Sequence, residues 1–213
     1  GKRNLRGYHL HDLVVEEVVP VKARATNTAS GENSFNKTSV SGIRFETLPS
    51  KSKDRAFNTG DIFIHGNFLR HTARFGIAIR HRASKIEGVF GTPANYDTNV
   101  RIINNRCEDT GGSCVLMSGV MNGLLEKNSF IRSGAMVEPT LSVNRGSGAW
   151  FFASKNIVAQ RNFSYGSRGH NDSAGMHVDY GNENVLVQYN FTLKNEGYGT
   201  EILGKNKNVI WRH

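Results

Sequence analysis

One short phrase recurs along this chain, its chemistry kept and its letters changed. It reads DIFIHGNF at Asp61–Phe68, NVRIINNR at Asn99–Arg106, GLLEKNSF at Gly123–Phe130, NIVAQRNF at Asn156–Phe163 and NVLVQYNF at Asn184–Phe191. The five copies align on Asn67, Asn105, Asn128, Asn162 and Asn190, and six positions earlier each has a short polar residue: Asp61, Asn99, Asn122, Asn156 and Asn184. An apolar run lies between the two polar positions. Successive aligned asparagines are 38, 23, 34 and 28 residues apart. A fixed strand separated by loops of unequal length is the signature of a solenoid with insertions.

A second strand follows each copy, marked by Gly and then strict alternation: GIAIR at Gly76, GAWFF at Gly148, GMHVD at Gly175 and GTEIL at Gly199. Period-two alternation means half-buried strands. Ile77, Ile79, Ala149, Phe151, Met176, Val178, Thr200 and Ile202 are expected to point inward. Ala78, Arg80, Trp150, Phe152, His177, Asp179 and Glu201 are expected to point outward. SCVLM, Ser113–Met117, is the same strand in another unit, with ambiguous facing. These features specify an all-β chain, a right-handed parallel β-helix whose coils stack about 4.8 Å apart. The aligned Asn is expected at a bend, taking the αL conformation and bonding its side chain to the next Asn.

The reading treats residues 1–213 as one β-helix domain, with coils clearest over 61–213. Segments 23–53 and 85–98 read as irregular loops, apart from a strand at Val40–Phe45, and 133–146 as a further insertion. Leu5–Val18 already reads as strand. Asn208–His213 repeats the opening of the phrase, so the chain is expected to be a section of a longer helix.

Charge narrows the partners. There are 27 Lys and Arg against 18 Asp and Glu, a net +9 with His neutral. A basic surface concentrates polyanions. The basic residues are spread singly rather than in the runs of a nucleic-acid arm, which favours an acidic polysaccharide over nucleic acid. No apolar run is long enough to span a membrane. Cys107 and Cys114 could form a disulfide across a turn or be two small core residues.

Outward positions on successive coils gather reactive side chains. His177 and Glu201 each stand two positions after a strand Gly, so they share a register in adjacent coils, and Asp179 lies on the same face. The loop SRGHNDSAG, Ser167–Gly175, brings Arg168, His170 and Asp172 to the same end. Clustered imidazole and carboxyl groups perturb one another and can act as acid, base or metal ligand. Trp150 and Phe152, one coil earlier, could stack on sugar rings. Arg80 shares the Asp179 register three coils away, roughly 14 Å, and with Arg82 could hold carboxylates or sulfates.

The C-terminal stretch GHNDSAGMHVDYGNENVLVQYNFTLKNEGYGTEILGKNKNVIWRH resembles the right-handed parallel β-helix proteins of the pectate-lyase-like superfamily, over about Asp61 to the end. That resemblance implies a secreted or periplasmic carbohydrate-active enzyme, and the basic charge suits the β-helical alginate lyases best. As a lyase of a uronate polysaccharide such as alginate, His177 or His170 would be the base and Tyr180 or Tyr165 would serve the leaving group. Arg168 would neutralise the uronate, and Asp179 and Glu201 would hold Ca²⁺ or orient the His. The alternative is an inverting glycoside hydrolase pairing Asp179 with Glu201 or Asp172. A non-catalytic glycan-binding or tailspike-like helix is the third reading.

Overall fold

A computed structural model of the chain describes residues 5–19, 40–48, 58–81, 96–136, 145–169 and 171–213. Those residues climb through successive three-strand coils and contain no helix. The first coil holds β1 (Leu5–His11), β2 (Val14–Val18) and β3 (Ser41–Thr47). The second holds β4 (Thr59–His65), β5 (Phe68–Thr72) and β6 (Phe75–His81). The third holds β7 (Asp97–Ile103), β8 (Arg106–Glu108) and β9 (Val115–Ser118). Then come β10 (Val120–Glu126), β11 (Ser129–Ile131) and β12 (Ala149–Phe152), followed by β13 (Lys155–Gln160), β14 (Phe163–Tyr165) and β15 (Met176–Val178). A further coil has β16 (Glu183–Gln188), β17 (Phe191–Leu193) and β18 (Thr200–Ile202), and β19 (Lys207–Arg212) starts the next.

Every third strand stacks in parallel. The first sheet has seven strands and runs β1-β4-β7-β10-β13-β16-β19, while the other two have six strands each. This is a right-handed parallel β-helix, the hand that parallel crossovers take. Ile62, Ile64, Ile77, Ile79, Phe151, Ile157, Met176 and Val178 fill its interior, as period-two alternation requires. The facing of β9 is settled too: Val115 and Met117 face this core, while Leu116 packs outside with Phe75, Ala78 and Trp150. Ile202, on the last strand of its sheet, is 46% exposed. The insertion after β6 ends sooner than the sequence suggests, because Asp97 and Thr98 already belong to β7. Most of segments 23–53 and 85–98 lies outside the described residues.

The aligned asparagines form an unbroken ladder. The Asn67, Asn105, Asn128 and Asn162 side-chain Nδ2 groups each donate to Oδ1 of the next Asn up the axis, at 2.9, 3.0, 3.0 and 2.9 Å. Their backbone N–H groups donate to the same oxygens. One side chain thus satisfies the buried bend of its neighbour, whatever the loop length between them. The αL conformation falls elsewhere than expected. It is taken by the residue just before each ladder Asn (Gly66, Asn104, Lys127, Arg161 and Tyr189) and by the earlier polar position (Asp61, Asn99, Asn122, Asn156 and Asn184). The ladder Asn serves through its side chain, and its backbone has no need of positive φ.

Two further ladders were not read from the sequence. Asn99, Asn122, Asn156, Asn184 and Asn208 hand amide bonds down the exposed edge of the first sheet to Asp61. At the bend into that sheet, Ser154, Asn182 and Asn206 bond in sequence. Cys107 and Cys114 are joined in a disulfide with Cα atoms 5.9 Å apart, which resolves the alternatives left by their spacing.

Candidate active site

The third sheet carries an outward column that pairs Ala78, Leu116, Trp150, His177 and Glu201 rung by rung. Its strands begin at glycines because the coils touch there. A Cβ on Gly148 would stand 2.5 Å from the Gly175 carbonyl oxygen, and one on Gly175 would stand 2.6 Å from that of Gly199. This close packing fixes the register that sets His177 beside Glu201.

The loop before β15 folds back over the column. Asp172 adopts αL, φ 49°, which a short polar residue tolerates. Ser147 Oγ donates to the Asp172 carbonyl, and Ser173 Oγ donates to the Gly169 carbonyl at 2.7 Å. The loop before β18 clasps this one: Gly169 N–H donates to Glu196 Oε2 at 2.8 Å, and Gly197 N–H to the Ser173 carbonyl at 3.2 Å. Together they enclose a pocket of about 410 Å³ whose lining includes Asn171, Asp172, Glu196, Tyr198 and Glu201.

Asp172, His177 and Glu201 converge there, each with one ligand atom within 4.8 Å of the other two. Arg145 pairs with Asp172 Oδ2 at 3.1 Å. His177 Nε2 faces Glu201 Oε2 at 3.6 Å, too far for a hydrogen bond, and both atoms are buried with no hydrogen-bond partner. His177 points outward from the core as its register requires, yet it is only 1% exposed because the loop and Trp150 cover it. The Trp150 and His177 rings are near parallel, 14° apart with centroids at 6.1 Å.

Burial sets the protonation states. It lowers the His177 pKa, against the pull of Asp179 and Asp172 and with help from Arg145, so the imidazole is neutral. Burial also raises Asp179, opposed by His177 and by hydrogen bonds from Trp150 Nε1 at 2.8 Å and Tyr180 N–H at 2.8 Å. Glu201 is pushed up from 4.5 to about 7, chiefly by burial and then by the charges of Asp172 and Asp179.

Not all of the expected constellation is here. Asp179 sits behind the pocket against Trp150 and is outside the three-ligand group, so Asp172 and His177 join Glu201 where Asp179 was expected to share a cation with it. Arg168 points away: Nη1 donates to the Ser167 and Lys194 carbonyls at 3.2 and 3.1 Å. Tyr180 follows Asp179 at the far end of β15 and is 38% exposed. Trp150 is half-buried, engaged with His177, Asp179 and Phe75 rather than standing open as a sugar platform. Phe152 and Arg80 both align with Ser118, on the row that leads to Asp179. His170 and Arg82 lie outside the described residues. Arg145, Glu196 and Tyr198 were missed, since they sit in loops without periodicity; the position of Tyr198, just before a strand Gly, was the one available signal.

No protein-family model and no curated protein matches this chain. Among solved structures it is similar to the GH136 lacto-N-biosidase from Eubacterium ramulus, with a TM-score of 0.62 and 22% identity. The match covers 79% of this chain and 30% of that protein, so this chain spans under a third of its length. At that identity the likeness speaks for the β-helix fold.

Proposed function

We propose that this chain carries the site of a glycoside hydrolase, with Asp172 as the ionised carboxylate and Glu201 as the proton donor. The observation that supports it is the approach of these two carboxyls within 4.8 Å at the floor of an open pocket. Arg145 holds one as an anion, and Glu201 has no counter-ion of its own. Two carboxyls in unlike environments are what glycoside hydrolysis needs. Their closeness suits a retaining enzyme, with carboxyls about 5–5.5 Å apart, better than an inverting one at about 6.5–9.5 Å.

Glu201 would protonate the glycosidic oxygen as that bond to the anomeric carbon breaks, while Asp172 attacks the same carbon. Water would then hydrolyse the glycosyl ester, giving its proton to the Glu201 carboxylate. Asp179, seven residues past Asp172, is the other carboxyl that could serve as the partner. Tyr198, 58% exposed on the pocket wall, is placed to stack on a sugar ring. The resemblance to a carbohydrate-active β-helix favours the same substrate class. The disulfide fits a secreted or periplasmic setting.

The net charge of +9 favours a second reading, the lyase acting on an acidic polysaccharide with His177 as base. One assay separates them: incubation with neutral glycans, alginate and pectate, following reducing ends and ultraviolet absorbance. Reducing ends without new absorbance support the hydrolase. New absorbance, the mark of an unsaturated product, overturns it in favour of the lyase.

A further inference from the structure

We propose that Asp172, His177 and Glu201 also form a site for a borderline divalent cation of the zinc class, and that cation and glycan turnover exclude each other. The second half rests on the hydrolase reading; the first does not.

The argument is geometric. Two carboxylate oxygens and one imidazole nitrogen lie within 4.8 Å of one another, on two adjacent rungs and a loop clasped in place. His177 is 1% exposed, and its Nε2 aims at Glu201 Oε2 with no hydrogen-bond partner on either atom. A buried, unsatisfied lone pair is costly, and an ion would satisfy both atoms at once. Ligands around a tetrahedral ion with bonds of about 2.0–2.2 Å stand roughly 3.3–3.5 Å apart. The His177–Glu201 pair, at 3.6 Å, is nearly there. The pocket leaves the fourth position open to water.

Mixed nitrogen and oxygen ligands select zinc-class ions, whereas Ca²⁺ takes six to eight oxygens. Three residues, one of them His, cannot supply that number, so the cation differs in kind from the Ca²⁺ suggested by the sequence. Arg145 opposes any cation at Asp172, which keeps the site weaker than a structural zinc site. An ion bound here would take both the carboxylate that attacks and the carboxyl that donates its proton, and so would stop hydrolysis.

The test is titration of the whole chain with Zn²⁺ by calorimetry, repeated with Ca²⁺. His9, His11 and His65 form an exposed imidazole patch on the first sheet, the main rival zinc binder, with His9 Nε2 2.6 Å from His65 Nε2. We expect one Zn²⁺ site that survives His65→Ala, weakens at least ~10-fold in His177→Ala and in the more exposed Glu201→Gln, and is not matched by Ca²⁺. Zn²⁺ should suppress hydrolysis as the site fills. No saturable binding, binding lost in His65→Ala but kept in both site variants, or equal affinity for Ca²⁺ overturns the site. Turnover that is unchanged or faster at saturating Zn²⁺ overturns the exclusion. A chain that binds Zn²⁺ yet cleaves no glycan refutes the hydrolase reading and leaves the cation site standing.

Discussion

The bend after the first sheet and the outward column of the third are built on the same coils, yet they treat polar atoms oppositely. At the bend, Asn105 and Asn128 each accept two hydrogen bonds through Oδ1 and return theirs to carbonyls and to the next Asn. In the column, His177 Nε2 and Glu201 Oε2 face each other buried and unsatisfied. One region spends its polar groups on stability. The other keeps two of them available, and that contrast separates a structural row from a chemical one.

The contrast can be broken most forcefully at the chemical row. Asp172→Asn or Glu201→Gln should each lower hydrolysis by about 10²–10⁴-fold, as loss of an acid–base group does, with little change in melting temperature. Equal losses of activity and folding would erase the distinction. At the structural row, Asn128→Ala should cost about 2–3 kcal/mol, because it strands the Asn105 backbone N–H and two buried carbonyls. Urea unfolding measures this, and a cost below half a kcal/mol would sink the ladder argument. Asn156 belongs to the exposed ladder at φ 52°, so Asn156→Ala should cost only about 1 kcal/mol, mostly αL strain, and Asn156→Gly should recover most of it.

The smallest effect is in pH. Glu201 has a folded pKa of about 7 against 4.5 normally, so the fold favours its protonated form. Its contribution to stability is complete below 4.5 and is lost as pH rises through about 7. Melting curves of the wild type should fall relative to Glu201→Gln across that window, and hydrolysis should fade on the same alkaline limb. Parallel curves for both proteins would show that burial does not hold the proton.

Much of the fold was legible because it rests on repetition. The register from Asn67 to Asn190 and the alternation at Gly76, Gly148 and Gly175 need only local pattern, and the sheets follow from them. The site was legible in part for the same reason: His177 and Glu201 lie on strands, where register predicts neighbours. That His177 is buried was not readable, since its cover comes from a loop. Arg168 and Arg145 show the limit. Both lie in loops, one near the cluster in sequence and the other in an unpatterned insertion, and tertiary clasping sends the first away and brings the second in. Sequence shows no period there to argue from. The αL placement was missed because Asn is the usual residue for that conformation, whereas here its amide is the useful part.

The ladders also carry a mechanical consequence. Each rung bonds only to the rungs above and below it, so tension along the axis loads one layer of hydrogen bonds at a time, and the coils should peel in turn. Tension across the axis, applied within one coil, meets the sheets and their core together. Pulled lengthwise the molecule is a zipper, and pulled sideways it is a brick.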